Sequence, residues 1–168
     1  MPDGFIMSET NAICRYLAKK YKAKDGSSFY PGNSDPMLTY WIDQFVDQQD
    51  SWFLEIAYIT VPLLDQYKYH KDEHFVNYIT NLLPKRLQNI ENHLAKNQTL
   101  FLCADKPTLA DFAFGDKMLR LGYNHKYENE HIILAVYANY PLTKAWIERF
   151  RDYVSEWWQN NNNWEKPF

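Results

Sequence analysis

Leu38, Trp41, Ile42, Phe45, Trp52, Phe53 and Ile56 recur at steps of three and four, and this spacing constrains the fold more than any other feature. Residues so spaced share one face of an α-helix, so the stretch is a long amphipathic helix. Asp35-Pro36 starts it, with Asp as cap and Pro at the first helical position, where its missing N–H costs nothing. The pattern returns downstream. Phe75, Ile79, Leu82, Leu83, Leu87, Ile90 and Leu94 mark a second long helix from Asp72 to Lys96. Pro62 should kink or end the first helix, and Pro84 should bend or break the second. Leu109, Ala110, Phe112, Ala113, Phe114, Met118 and Leu121 are apolar nearly all round, which marks a central helix that Gly122 stops. A shorter helix spans Ile132 to Tyr137, and a last one after Pro141 carries Trp146, Ile147, Phe150, Tyr153, Val154 and Trp157. Only Phe5-Ile6-Met7, after the Asp3-Gly4 turn, has strand character. The class is all-α.

Composition narrows the partners. Apolar residues make up 46% of the 168 and aromatics 17%, a load that suits packed helices rather than a disordered chain. The net charge is −3 with both signs dispersed, so no basic patch invites nucleic acid. No apolar run approaches the ~18 residues of a membrane span, and the N-terminus shows no secretory signal, which makes Asn97-Gln98-Thr99 a chance glycosylation match. Cys14 and Cys103 fit no disulfide or metal framework, which points to the cytoplasm or another reducing compartment. Both are expected to be small buried hydrophobes. His70 and His74 have a zinc-compatible spacing but lack a third ligand, so no metal is expected.

Ahead of the long helix, Ala12, Ile13, Tyr16, Leu17 and Tyr21 define a short helix that Ser8 or Thr10 can cap, with Lys19, Lys20 and Lys22 at its dipole-complementary end. Breaker residues follow over 25–34, and this is the best boundary in the chain. The expected organisation is therefore 1–24, a linker 25–34, a helical domain 35–158 and a polar tail 159–168. Thr108 and Asp111 have the form of a capping box, in which each side chain meets the other residue's backbone N–H. Asp43, Asp47 and Asp50 form a stripe on one face of the long helix, where a solvated acidic surface is expected. Trp157, Trp158, Trp164 and Phe168 serve either as interface anchors or as core closure, the latter suiting Trp157 best.

Glu9-Thr10-Asn11-Ala12-Ile13-Cys14-Arg15-Tyr16-Leu17 and Pro107-Thr108-Leu109-Ala110-Asp111-Phe112 together resemble soluble glutathione transferases. The first stretch is similar to the end of that family's thioredoxin-like domain, and the second to the capped helix of its helical C-terminal domain. Phe29-Tyr30-Pro31, Trp41 with Asp43, Phe101-Leu102, and Asn139-Tyr140-Pro141 ahead of Trp146 extend the resemblance over most of the chain. Trp41 to Leu64 also resembles the translation-elongation-factor gamma subunit. Ala104 stands where the family has a loop Gly.

The resemblance implies that Glu9 receives the ammonium and Thr10 the α-carboxylate of glutathione's γ-glutamyl end, the carboxylate resting on free N–H groups at a helix start. The bland alternative is that Thr10 merely caps a helix whose first turn carries a solvated Glu9. Asp50 lies one position from an acid that, in several classes, reaches the same ammonium from the neighbouring subunit. The resemblance also implies that the family's thiol-activating Tyr, Ser or Cys lies upstream of Met1. No catalytic residue is therefore expected within this chain. Two functions follow as expectations. One is a non-catalytic structural or protein-interaction subunit, in a complex or homodimer, with glutathione as a ligand. The other is a fragment of an active transferase that conjugates glutathione to electrophiles, its apolar second substrate lying near Trp41, Phe45 or Phe114.

Overall fold

Asp35 accepts the Leu38 N–H on its carboxylate at 3.0 Å, and α2 (Pro36–Thr60) starts there in the computed structural model, which describes Gly4, residues 6–60 and residues 71–157. Ile42, Phe45, Val46, Trp52 and Ile56 form the buried face of α2. They pack mainly on α5 (Leu109–Gly122), whose side chains are buried nearly all round. A helix buried on most of its circumference must sit at the centre, and α5 does.

Preceding these, α1 (Thr10–Lys20) lies against α5, and a single 3-10 turn (Gly32–Ser34) leads into α2. The second apolar stretch breaks into α3 (Lys71–Asn77), a wide π turn (Tyr78–Leu82) and α4 (Leu83–Asn97). Pro84 accounts for the π turn. Its ring would strike the carbonyl four residues back in a regular α-helix, and a wider turn relieves that contact. Gln98 then ends α4 in the left-handed region, donating its N–H to Leu94 at 2.8 Å. α6 (Glu130–Tyr137) and α7 (Pro141–Tyr153) close the bundle over α5 and α4. The architecture is an all-α bundle.

Two glycines permit the closest approaches in the core. A Cβ on Gly115 would enter the Phe150 ring of α7, and one on Gly122 would enter the Tyr137 ring of α6. Both positions lie on α5, so its glycines set how near the flanking helices come.

Several expectations change. Ile6 and Met7 form no strand, and Ile6 is 88% exposed. A strand needs a neighbour, and the only bridge among the described residues is the isolated pair Lys22–Ser28. Trp157 does not close the core but stands 49% exposed. Cys14 and Cys103 are free and only partly buried, packed against the core's edge. Phe5, Pro62, His70, Trp158, Trp164 and Phe168 lie outside the described residues.

Candidate functional site

The start of α1 has an unusual backbone. Glu9 takes φ 68°, ψ 109°, a left-handed value that side-chain-bearing residues seldom adopt. It occupies the N-cap position, and no side chain caps the helix, so neither Ser8 nor Thr10 plays the capping role their sequence suggests. Ile13 donates the first helical bond, to the Glu9 carbonyl at 3.0 Å. The N–H groups of Thr10, Asn11 and Ala12 precede that bond and have no acceptor within the helix. Free N–H groups at the positive end of a helix are the chemistry that suits a carboxylate. Glu9 and Thr10 are both exposed.

This turn is anchored from below. Arg15 donates to Asp43 at 2.7 Å and to Asp47 at 2.6 Å, so the acidic stripe on α2 is a clamp on α1 rather than a solvated surface. Burial works against the Arg15 charge, but Asp47 and Asp43 more than offset it and hold the guanidinium above its ordinary pKa. Tyr30 donates to Asp43 at 2.9 Å, and its own ionisation is pushed up by burial and by that carboxylate. Asp50 accepts from the Asn11 side chain at 3.2 Å, which brings the last acid of the stripe to the first turn of α1. Glu9, Thr10 and Asp50 are thus gathered at one corner of the molecule.

Sequence reasoning missed the next layer. Gln49 donates its amide N–H to Asn11 Oδ1, and Lys117 of α5 donates to Gln49 Oε1 at 3.1 Å and to the Ala113 carbonyl at 2.8 Å. Lys117 is buried, and burial lowers its pKa. A clue was present in the sequence, because Lys117 falls among the apolar residues Ala113, Phe114, Met118 and Leu121 of a helix that is buried nearly all round.

Thr108 and Asp111 occupy the start of α5. Asp111 accepts the Thr108 N–H at 2.7 Å and the Thr108 hydroxyl at 3.0 Å, and its other oxygen takes the Leu102 N–H at 2.8 Å and the Trp146 indole N–H at 2.9 Å. Burial pushes the Asp111 pKa up against the pull of those four donors. Leu109 donates to the Phe29 carbonyl at 2.8 Å, and the Phe29 and Phe112 rings meet edge to face, so the 25–34 segment is strapped to this helix start.

Two hollows flank these elements. An open groove of about 900 Å³ runs between residues 23–27 and the α5–α7 pair, floored by Phe112, Leu119, Phe150 and Tyr153. A smaller one of about 240 Å³ lies between α2 and α4 over Phe45, Ile90 and Phe114. Phe45 and Phe114 are core residues in edge-to-face contact, and Trp41 meets the His93 ring edge-on, so these aromatics are occupied in packing. No group of three or more metal-ligating side chains occurs among the described residues, and none of their helices is long and apolar enough to cross a membrane.

Residues 55–160, more than half of the chain, match the family model described as the glutathione S-transferase C-terminal domain. No curated protein matches the chain. The matched segment covers the π turn, the closing helices and the central capped α5, on which both α1 and α2 pack. The chain belongs to the glutathione S-transferase family, through that family's helical C-terminal domain.

Proposed function

We propose that this chain is a glutathione-transferase scaffold that holds the γ-glutamyl end of glutathione at the start of α1 and assembles with a protein partner or a second copy. Its own side chains do not ionise the thiol. The observation that carries the ligand half is the uncapped first turn of α1, with Glu9 held in a left-handed conformation beside the Thr10 and Asn11 N–H groups. Backbone strain of this kind persists where the surroundings enforce it, and the Arg15–Asp43–Asp47 clamp supplies that enforcement. In this assignment Thr10 and the helix start take the α-carboxylate, while Glu9, aided by Asp50, takes the ammonium.

The non-catalytic half rests on hydroxyl chemistry. Activating a thiol calls for a donor whose own ionisation is eased. Here burial pushes Tyr30, Tyr78, Tyr123, Tyr127, Tyr137 and Tyr153 up instead, and the Cys103 thiol likewise. Tyr30 is engaged with Asp43, and Tyr78 accepts from Trp52 at 3.1 Å. The assembly half rests on the exposed large apolar residues of α2, Met37 and Tyr40 in its first turns and Phe53 and Leu54 further along. Residues 1–24 then belong to a thioredoxin-like unit, 25–34 to a linker and 35–158 to the helical domain. The two free cysteines suit a reducing compartment.

A second reading is the transferase half of an active enzyme, with the thiol-activating hydroxyl supplied by another segment. The Glu9 conformation favours it too, since such a site serves catalysis as well as binding. The intact mass of the native protein separates the two: a mass equal to that of this chain supports the scaffold, and a larger one that includes the activating segment supports the enzyme. Calorimetry of the purified chain with glutathione, alongside turnover of an aryl halide, tests the site itself. Turnover by these 168 residues overturns the non-catalytic assignment, and absence of binding overturns the ligand assignment.

A further inference from the structure

Lys117 poses a physical question. Its residue is 7% exposed on the central helix, and its two acceptors, Gln49 Oε1 and the Ala113 carbonyl, are both neutral. A buried ammonium with no bonded counter-ion is costly, and a Met of similar length would fill the space with no charge to desolvate. The titratable groups that face it are Asp116 and Arg120 on α5, Asp50 on α2 and the Cys14 thiol on α1. Asp116 is already paired with Arg120 at 2.8 Å. Retaining a lysine here makes sense where its donors do something a methyl group cannot.

What they do is set a direction. An ammonium only donates, so the group it meets must be an acceptor. Lys117 therefore takes Oε1 of Gln49 and leaves its amide N–H to point at Asn11. That N–H takes Oδ1 of Asn11, which leaves the Asn11 amide N–H to reach Asp50 Oδ2 at 3.2 Å. Both amides are ambivalent groups that turn either way with little change of shape. With Lys117 at the inner end and a carboxylate at the outer end, one sense satisfies every link. Reversing either amide sets oxygen against oxygen or donor against donor.

We propose that Lys117 is a positioning residue for the ligand corner at the start of α1, setting through Gln49 and Asn11 the orientation of the first turn and of the Asp50 carboxylate. The identity of the ligand rests on the glutathione assignment above; the coupling itself does not. Lysine's lowered pKa, caused by burial, is the cost of keeping a donor at the inner end.

The test uses the full chain, 15N-labelled, with Lys117→Met. Side-chain amide exchange of Asn11 and Gln49 is followed by NMR, and glutathione affinity by calorimetry. The expected result is exchange of the Asn11 side-chain amide faster by about tenfold, with backbone protection in α5 and α7 unchanged. Glutathione binding weakens by about tenfold, as expected for loss of an indirect positioning link. Gln49→Glu gives a second route should Lys117→Met fail to fold. Its carboxylate keeps the Lys117 contact but forces Asn11 to donate inward, turning Oδ1 toward Asp50, and should weaken binding similarly. If the Asn11 amide exchanges equally in wild type and in both variants, the proposal is overturned, whatever the affinities. If Asn11 protection depends on Lys117 while wild type binds no glutathione, the positioning role stands and the ligand assignment alone falls.

Discussion

Trp146 of α7 donates its indole N–H to Oδ1 of Asp111, the N3 residue of α5, at 2.9 Å. Both residues are buried, so the helix cap does more than end one helix. The same carboxylate satisfies the Thr108 and Leu102 backbone N–H groups and fastens α7 to the start of α5. One side chain joins local structure to tertiary packing.

Asp111→Ala should therefore cost about 3–5 kcal/mol, because four buried donors lose their acceptor, one of them the rotatable Thr108 hydroxyl, and each unsatisfied donor costs roughly 1–3 kcal/mol. Asp111→Asn should recover part of that loss, since its amide oxygen still accepts. Urea unfolding followed by tryptophan fluorescence measures both, and equal stability in Asp111→Ala and wild type would show that the cap contributes nothing.

Gly115→Ala should destabilise by about 1–3 kcal/mol, the usual cost of overpacking a core. The added methyl meets the Phe150 ring, which is itself buried and has little room to turn. Gly122→Ala should behave similarly against Tyr137. Thermal unfolding reads both. A midpoint at or above that of wild type would mean that α7 or α6 shifts freely.

Arg15→Met should loosen α1 from α2 by about 1 kcal/mol, a value discounted because the Arg15 and Asp43 side chains are 25% and 33% exposed. Asp43→Asn should cost more than Asp47→Asn. Asp43 holds both Arg15 and Tyr30, while the Asp47 side chain is 64% exposed. Hydrogen exchange in residues 10–20 is the measurement, and the loss should shrink in high salt for Asp47 more than for Asp43.

His93 makes stability fall in mild acid. Its ring packs against Trp41 and Phe45 and bonds to the Leu102 carbonyl at 2.7 Å. Burial lowers its pKa below 6.5, against the Leu102 bond and assisted by Lys96. The unfolded chain then binds more protons than the native one between that lowered value and 6.5, so stability rises with pH across this window. The contribution is fully present above 6.5 and is lost as the pH falls to the native pKa. His93→Gln should flatten that part of the profile, and an unchanged slope would exclude His93 as its source.

Much of the fold was legible because helices are written in local spacing. Asp35-Pro36 and the three- and four-residue steps after it mark α2, and Thr108 with Asp111 marks the start of α5, because capping involves residues three apart. Pro84 announced a disturbance in the second helix, but its form, a π turn, depends on how the chain relieves a ring-to-carbonyl contact. The short apolar run at Ile6-Met7 misled, since a strand is defined by a neighbour that no local pattern supplies.

The amino-acid order by itself determined where most helices lie, the capped starts of α2 and α5, the apolar faces and the family resemblance, all of which act over a few residues. Only the tertiary structure decided what faces the acidic stripe. Asp43, Asp47 and Asp50 share a helix face in any reading, yet the partners Arg15 and Asn11 lie 28 to 39 residues away. The left-handed Glu9 and the buried Lys117 are likewise products of packing, because strain and desolvated charge persist only where distant groups hold them in place.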